Sequence, residues 1–220
     1  MEKNVFVLAW LPCSGKWTQW SILAEKLNAH RIQSWARLDM IIRWEVSPEL
    51  KHIASKVRSN PKSLTEQESW DIERAKLWED FWEESQHLIL DGFGRKESTN
   101  EILYKVFWVQ YLTYLWFHIN KRCMYKRAHN RYIDPENRQS YKLSCPSEAY
   151  QIWLIKRESD TPEVLWRRFQ SFEHNTKWVL ENHKRNWWRV IKINAGHQEI
   201  ELVTSEMLAQ IRKVFPDIDL

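Results

Sequence analysis

Glycine is nearly missing from this chain: it has 4 in 220 residues, where the usual share of ~7% would give roughly 15. So little glycine leaves few places where the main chain can take a positive φ or approach a ligand with no Cβ in the way. Cysteine is scarce as well. Cys13, Cys123 and Cys145 are the 3 present, and none stands at C-x-x-C spacing, which argues against a zinc cage or a disulfide framework. That usage fits a reducing compartment, so a cytoplasmic protein is expected. No apolar run approaches the ~20 residues of a membrane span, and Met1-Glu2-Lys3-Asn4 lacks the order of a signal peptide. No membrane partner is expected. The net charge of +4 is mild; it suits a small anionic ligand and does not call for nucleic acid. The 8 histidines are scattered, with no H-x-x-x-H pair. The length suits one core with small insertions, and a monomer is the expectation.

Tryptophan is what the chain has in excess, with 15 copies. Three of them fall in Val5-Phe-Val-Leu-Ala-Trp10-Leu-Pro12-Cys13-Ser14-Gly15-Lys16-Trp17-Thr18-Gln19-Trp20. A G-x-x-x-x-G-K loop after a buried strand and before a helix cradles phosphate on bare backbone amides. The setting is right here: Val5–Ala9 reads as a strand, and Ser21–Leu27 has helical spacing. Gly15 and Lys16 stand in place, but the first glycine is Trp10. Indoles at Trp10, Trp17 and Trp20 are expected to fill the cradle. Two readings stay open. Either the loop is dead and the tryptophans pack a core or stack on bases, or glycine stands at some of these positions in the protein as synthesised. Genetic codes differ in whether UGA specifies tryptophan or glycine, and glycines written as tryptophan would give this composition. Trp44, and the pair Trp187-Trp188 after Lys184-Arg185-Asn186, also sit where a helix end favours glycine. Trp166, in mid-helix, reads as an authentic tryptophan.

Short apolar runs alternate with longer helical patterns. That alternation predicts an α/β fold, a parallel sheet flanked by helices. Strands are expected at Val5–Ala9, His30–Gln33, Leu88–Leu90, Val109–Leu112 and Val190–Ile193. Helices are expected at Gly15–Leu27, Ala36–Arg43, Glu66–Gln86, Thr99–Val106, Lys121–Arg131, Thr161–His183 and Thr204–Val214. Thr161-Pro162-Glu163 is a strong helix start. Tyr132–Ile155 and 44–65 are polar excursions from the core and are candidates for moving lids.

Lys16 is the sharpest single residue. A cation at a helix start is disfavoured by the helix dipole, whereas a phosphate-loop lysine neutralises the β- and γ-phosphates there. Leu88-Ile-Leu-Asp91-Gly92-Phe93-Gly94-Arg95 places an acid and a guanidinium at the carboxyl edge of the sheet, where open α/β folds bind ligands. Asp91 is a candidate to hold Mg²⁺ through water, with no direct metal ligand, and Arg95 to clamp phosphate. Arg127 and Arg131, four apart, are expected on one helix face, and Arg157 and Arg168 bracket the start of the next long helix. Converging guanidinium groups suit a phosphoryl-transfer transition state. Without the loop, these basic residues read as solvated helix faces.

Taken together, the chain resembles the adenylate kinases, within the nucleoside monophosphate kinase group. The family loop G-x-P-G-x-G-K-G-T-Q is similar to Trp10-Leu-Pro12-Cys13-Ser14-Gly15-Lys16-Trp17-Thr18-Gln19, once Trp10 and Trp17 are read as glycine. Its L-D-G-F-P-R is similar to Leu90-Asp91-Gly92-Phe93-Gly94-Arg95, and its acidic-T-P-E hinge to Arg157-Glu158-Ser159-Asp160-Thr161-Pro162-Glu163. The resemblance implies a P-loop NTPase-type sheet with two insertions, a monophosphate-binding one near 34–65 and a lid near 132–156. It implies transfer of the γ-phosphate of ATP, with Mg²⁺, to a monophosphate, foremost AMP, giving two ADP. Cys13, Ser14, Gly15, Lys16, Trp17 and Thr18 would hold the ATP phosphates, with Arg127 and Arg131 on the ATP side. Arg157 and Arg168 would bridge the phosphates. Ser34, Trp35, Gly92, Phe93, Gly94, Arg95 and Thr99 would face the monophosphate. The catalytic set implied is Lys16, Asp91, Arg127, Arg131, Arg157 and Arg168. Departures from the pattern are Cys13 for glycine, Gly94 for proline, Asp39 where an arginine stands (with Arg37 or Arg43 as substitutes), and Thr99 near the glutamine that reads adenine. A kinase for another monophosphate, and a catalytically dead tryptophan-rich nucleotide- or nucleic-acid-binding P-loop protein, are the alternatives. The lid lacks the cysteine set of zinc-bearing members, so no structural metal is expected.

Overall fold

The run Asn4–Trp10 forms β1, and its residues from Asn4 to Ala9 are all buried. A strand so apolar on both faces belongs at the centre of a helix-covered parallel sheet, and that is where it lies. The structure, a computed structural model, describes residues 4–33, 53, 65, 68, 71, 87–107, 109–136, 140–143, 153–186, 188–196 and 199–220. After β1 come α1 (Lys16–Lys26), β2 (His30–Gln33), β3 (His87–Asp91) and α2 (Glu97–Val106). Next are β4 (Leu112–His118), α3 (Lys121–His129), β5 (Arg131–Ile133) and β6 (Ser140–Lys142). The chain continues through α4 (Pro162–Ser171), α5 (Lys177–Arg185), β7 (Arg189–Asn194) and α6 (Ile200–Val214).

Five strands make one sheet in the order β2-β3-β1-β4-β7, and every pairing in it is parallel. Helices cover it, so the fold is α/β of the P-loop NTPase type. β1 pairs with β3 from Asn4↔His87 to Leu8↔Asp91, and with β4 from Val5↔Leu112 to Trp10↔Phe117. That register sets the end of β1, where the loop begins, beside Asp91. The core runs along the sheet and takes in Phe6, Leu23, Leu90, Leu115, Phe117, Ile193 and Met207. Trp20 and Trp116 belong to it, 3% and 6% exposed, and both indole N–H groups lack a hydrogen-bond partner among the described residues.

Several expectations shift. Val109–Tyr111 is a 3-10 turn, and the strand there is Leu112–His118, because a seven-residue partner is needed to follow β1 to its end. The helix from Lys121 stops at His129. Arg131 opens β5, which pairs antiparallel with β6, so Arg127 and Arg131 do not share a helix face. The expected single helix Thr161–His183 is α4 and α5 joined by a π-helical turn at Phe172–Thr176. Pro162 is its first residue, and Thr161 caps it without a side-chain bond. The last helix starts at Ile200, a turn earlier than expected. The expected helices Ala36–Arg43 and Glu66–Gln86, and the excursion 44–65, lie almost wholly outside the described residues. Of the Tyr132–Ile155 excursion, β5 and β6 are described, together with an antiparallel bridge from Ile133 to Ile155. Among the described residues no helix is long and apolar enough to cross a membrane.

Candidate active site

The turn from β1 into α1 carries the phosphate-loop sequence. Gly15 has φ 80° and caps α1, and a Cβ placed on it would meet nothing within 4 Å. Cys13 takes φ 61°, a left-handed conformation that glycine adopts freely and cysteine rarely does. Ser14 is 2% exposed, and its Oγ finds no hydrogen-bond partner among the described residues. A buried hydroxyl left unpaired beside a helix N-terminus is what a loop that receives an acceptor from a ligand leaves behind.

Lys16 is buried and bonded to Asp91, with Nζ to Oδ2 at 2.5 Å. Burial, opposed by that carboxylate and aided by Arg95 and Arg168, lowers the ammonium's pKa to about 8. Two indoles lie on the same ammonium, with ring centres at 3.9 Å for Trp10 and 4.4 Å for Trp17. Trp10 also donates Nε1–H to Asp91 Oδ1 at 3.3 Å. Its ring faces the guanidinium of Arg95 at 4.7 Å and that of Arg168 at 6.0 Å. One indole therefore occupies the space among three of the cations assigned to phosphate. Trp17 covers the loop from outside, 58% exposed. Trp20, expected in the cradle, instead packs into the core beside Trp17 at 5.1 Å. Its spacing from Lys16 along α1 turns it inward.

A cavity of about 610 Å³ is lined by Trp10, the loop from Cys13 to Thr18, Arg131, Arg157 and Arg168. Arg131 is held by Asp160, with Nε to Oδ2 at 2.7 Å; burial opposes its charge, and that pairing raises its pKa overall. Burial lowers the pKa of Arg168. Arg127 is turned to the other side of the loop, where its Nη1 donates to the Cys13 carbonyl at 3.0 Å. There it lines a second cavity, of about 280 Å³, with Gln19, Tyr141 and Ile200. A third, of about 110 Å³, joins Trp10, Arg95, Arg168 and Thr176. Gly92 and Gly94 have φ 91° and 65°, and Phe93 between them is 1% exposed.

The structure thus gathers Cys13, Ser14, Gly15, Lys16, Trp17, Thr18, Arg131, Arg157 and Arg168 around one space, joins Asp91 to it through Lys16 and Trp10, and joins Arg95 through Trp10 and Arg168. Arg127 borders it. Thr99 lies in α2, and Ser34, Trp35, Arg37, Asp39 and Arg43 are outside the described residues. Sequence reasoning missed the second cavity. The amphipathic start of α6, whose Ile200 carbonyl accepts from Gln19 Nε2 at 3.1 Å, was its one signal. A hexacoordinate cation that keeps several waters needs only one or two protein carboxylates. Asp91 offers one at the strand end, and no group of three potential metal ligands occurs among the described residues. Asp91 therefore fits Mg²⁺ carried by a nucleotide, as the carboxylate that would hold it through water.

No protein-family model matches the chain. The chain is 26% identical to an adenylate kinase of Chlamydia pneumoniae over 219 residues, spanning 96% of this chain and 98% of that protein. An adenylate kinase of Chlamydia trachomatis serovar L2 is 28% identical over 210 residues, covering 86% and 83%. One of Chlamydia muridarum is 29% identical over 203 residues, covering 84% and 78%. The chain is therefore similar to adenylate kinases over most of its length, and the likeness supports an enzyme of the nucleoside monophosphate kinase type.

Proposed function

We propose that this protein transfers the γ-phosphoryl group of ATP to AMP, reversibly, giving two ADP. The observation that carries the reading is the convergence of Lys16, Arg131, Arg157 and Arg168 on one cavity floored by the Cys13–Thr18 turn. In this reaction an oxygen of the AMP phosphate attacks the γ-phosphorus in line, and the bond to the β-phosphate oxygen breaks. The transferred group needs positioning and charge neutralisation more than covalent help. The amides of Gly15, Lys16 and Trp17 and the Ser14 hydroxyl cradle the phosphates of ATP. Lys16 leaves Asp91 for the β- and γ-oxygens, Arg131, Arg157 and Arg168 spread over the group in flight, and Arg95 holds the acceptor phosphate. Asp91 would hold, through water, the Mg²⁺ that comes with the nucleotide, which would supply charge neutralisation there. The acceptor base is assigned to adenine by similarity. Asp39 and Thr99 depart from the pattern at positions that bear on it.

An indole at position 10 stands in the space this reaction needs, so the reading requires glycine at positions 10 and 17 in the working protein. The chain as written is expected to form no ADP from ATP and AMP. W10G/W17G is expected to gain at least ~100-fold, the scale of restoring one or more preorganised donors. A panel of AMP, CMP, UMP and dTMP sets the acceptor. Equal turnover in both chains overturns this account of the loop, and absence of transfer to every monophosphate by W10G/W17G overturns the kinase reading. A second reading rests on the Trp10 indole being bonded to Asp91 and faced by Lys16 and Arg95, an arrangement suited to a nucleotide-binding protein without turnover. The mass of the protein purified from its own cells separates the two, since each glycine removes a whole indole side chain.

A further inference from the structure

The Gly92–Arg95 turn departs from the proline-containing motif it resembles, and the structure shows what stands in the proline's place. Gly94 has φ 65°, a value the pyrrolidine ring forbids. A Cβ on Gly94 would lie 3.0 Å from Asn100 Oδ1 and 3.1 Å from both Tyr114 Cε1 and Val7 Cγ1. Asn100 and Tyr114 are thus packed against the bare Cα. Asn100, 1% exposed, donates from Nδ2 to the Gly94 carbonyl at 3.3 Å and the Lys96 carbonyl at 2.6 Å. The Tyr114 hydroxyl donates to Asn100 Oδ1, which fixes the amide with its N–H₂ facing the turn. The carbonyl between those two, that of Arg95, accepts from Thr176 Oγ1 at 3.3 Å. Thr176 is buried and ends the π-helical turn that follows α4, and π turns recur where a helix must aim a side chain at a site. Three successive carbonyls are therefore held from two elements, and the residue at their centre is Arg95.

We propose that Asn100, oriented by Tyr114 and seconded by Thr176, is a positioning residue that fixes the Gly94–Lys96 backbone and so holds Arg95 opposite Arg168 for the phosphate of the acceptor monophosphate. The ligand named here rests on the proposed function, and the backbone clamp does not. Asparagine is required because only an amide offers two donors to the turn while accepting from the tyrosine. An aspartate of the same shape offers none.

The test compares N100D, Y114F and T176V by amide hydrogen exchange and by kinetics, the latter in the W10G/W17G background. N100D is expected to raise exchange across residues 94–97 about tenfold or more, with β1 and β4 unchanged, and Y114F and T176V to raise it by smaller factors of about three. The KM for AMP should rise about tenfold in N100D while the KM for ATP stays within about twofold. Exchange in 94–97 that stays at the parent level, or that rises equally through the sheet, overturns the clamp. Equal shifts in both KM values overturn its role in holding the acceptor. If W10G/W17G transfers to no monophosphate, the proposed function fails, and the exchange data still decide the clamp.

Discussion

At Lys16 burial and charge oppose each other in one side chain. Lys16 is 3% exposed, and burial lowers its pKa to about 8 from 10.5. A base with a lowered folded pKa binds fewer protons folded than unfolded between those two values. Its burial therefore costs stability below about 8, and that cost fades as pH rises toward 10.5. Ligand binding runs the other way. A phosphate at Nζ favours the charged form, so nucleotide binding just above pH 8 must draw a proton from solvent, in a range where nucleotide phosphates are already ionised. Trp10 and Trp17 both lie on this ammonium, so the check is made on the chain as written: its stability, from urea midpoints, is expected to rise between pH 8 and 10.5 more steeply than that of K16M. Parallel slopes for the two proteins would show that burial of this ammonium does not couple pH to stability. The residue scale is also where tryptophan and glycine are told apart. Trp153 has φ 57° and is 84% exposed, so its indole gains no burial and its backbone sits where a side chain is strained. Nothing in the sequence around it set it apart. Trp10 could be singled out because a motif says which atom must be missing there.

Among elements, the corner from α3 into β5 decides where two arginines point. Lys156 Nζ donates to the carbonyls of Ala128 at 3.4 Å, Arg131 at 3.2 Å and His129, and covers the Tyr132 ring at 3.7 Å. An ammonium on the carbonyls at a helix C-terminus complements the dipole there, and it ties the segment after Ile155 to the start of β5. K156M is expected to lower stability by about 1 kcal/mol, the upper range for an exposed cation at a helix end, with the loss shrinking in high salt. Urea midpoints in low and high salt check it, and a loss independent of salt would assign the effect to packing on Tyr132. Sequence periodicity located α3 and missed this corner, because Arg131 continues the helical spacing of Arg127 in the linear pattern. The helix ends at Asn130 because Leu143 N–H bonds to the Asn130 carbonyl at 2.9 Å, a contact from 13 residues away. β4 was misplaced for a similar reason. Val109–Leu112 is apolar enough for a strand, but its pairing with β1 selects Leu112–His118.

Across the molecule, the alternation of strands and helices was legible, and with it the edge of the sheet where the candidate site lies. The strand order was not, since β1 lies between β3 and β4 through pairings that no local pattern records. Nor was His183, read as one of a scattered set. It is buried on α5 between three other elements: its ring lies 4.5 Å from those of Tyr114 on β4 and Trp188 ahead of β7, and its Nε2 is 2.9 Å from the Tyr104 hydroxyl on α2. Burial lowers its pKa to about 4. With the folded value below the unfolded one of 6.5, the unfolded chain takes up the proton first as pH falls. Stability from this group is therefore intact above 6.5 and is lost progressively toward 4. At ~1.4 kcal/mol per unit the loss is on the order of 3 kcal/mol, a large part of the stability of a domain this size. Carboxylates titrate in the same window, so the comparison is with H183Q, which keeps a polar partner for Tyr104 and has no proton to gain. H183Q is expected to be less stable than the parent at neutral pH, and its stability is expected to fall less steeply between pH 6.5 and 4. Parallel slopes in the two proteins, from urea midpoints across that window, would show that His183 is not what couples acid to the joining of these elements.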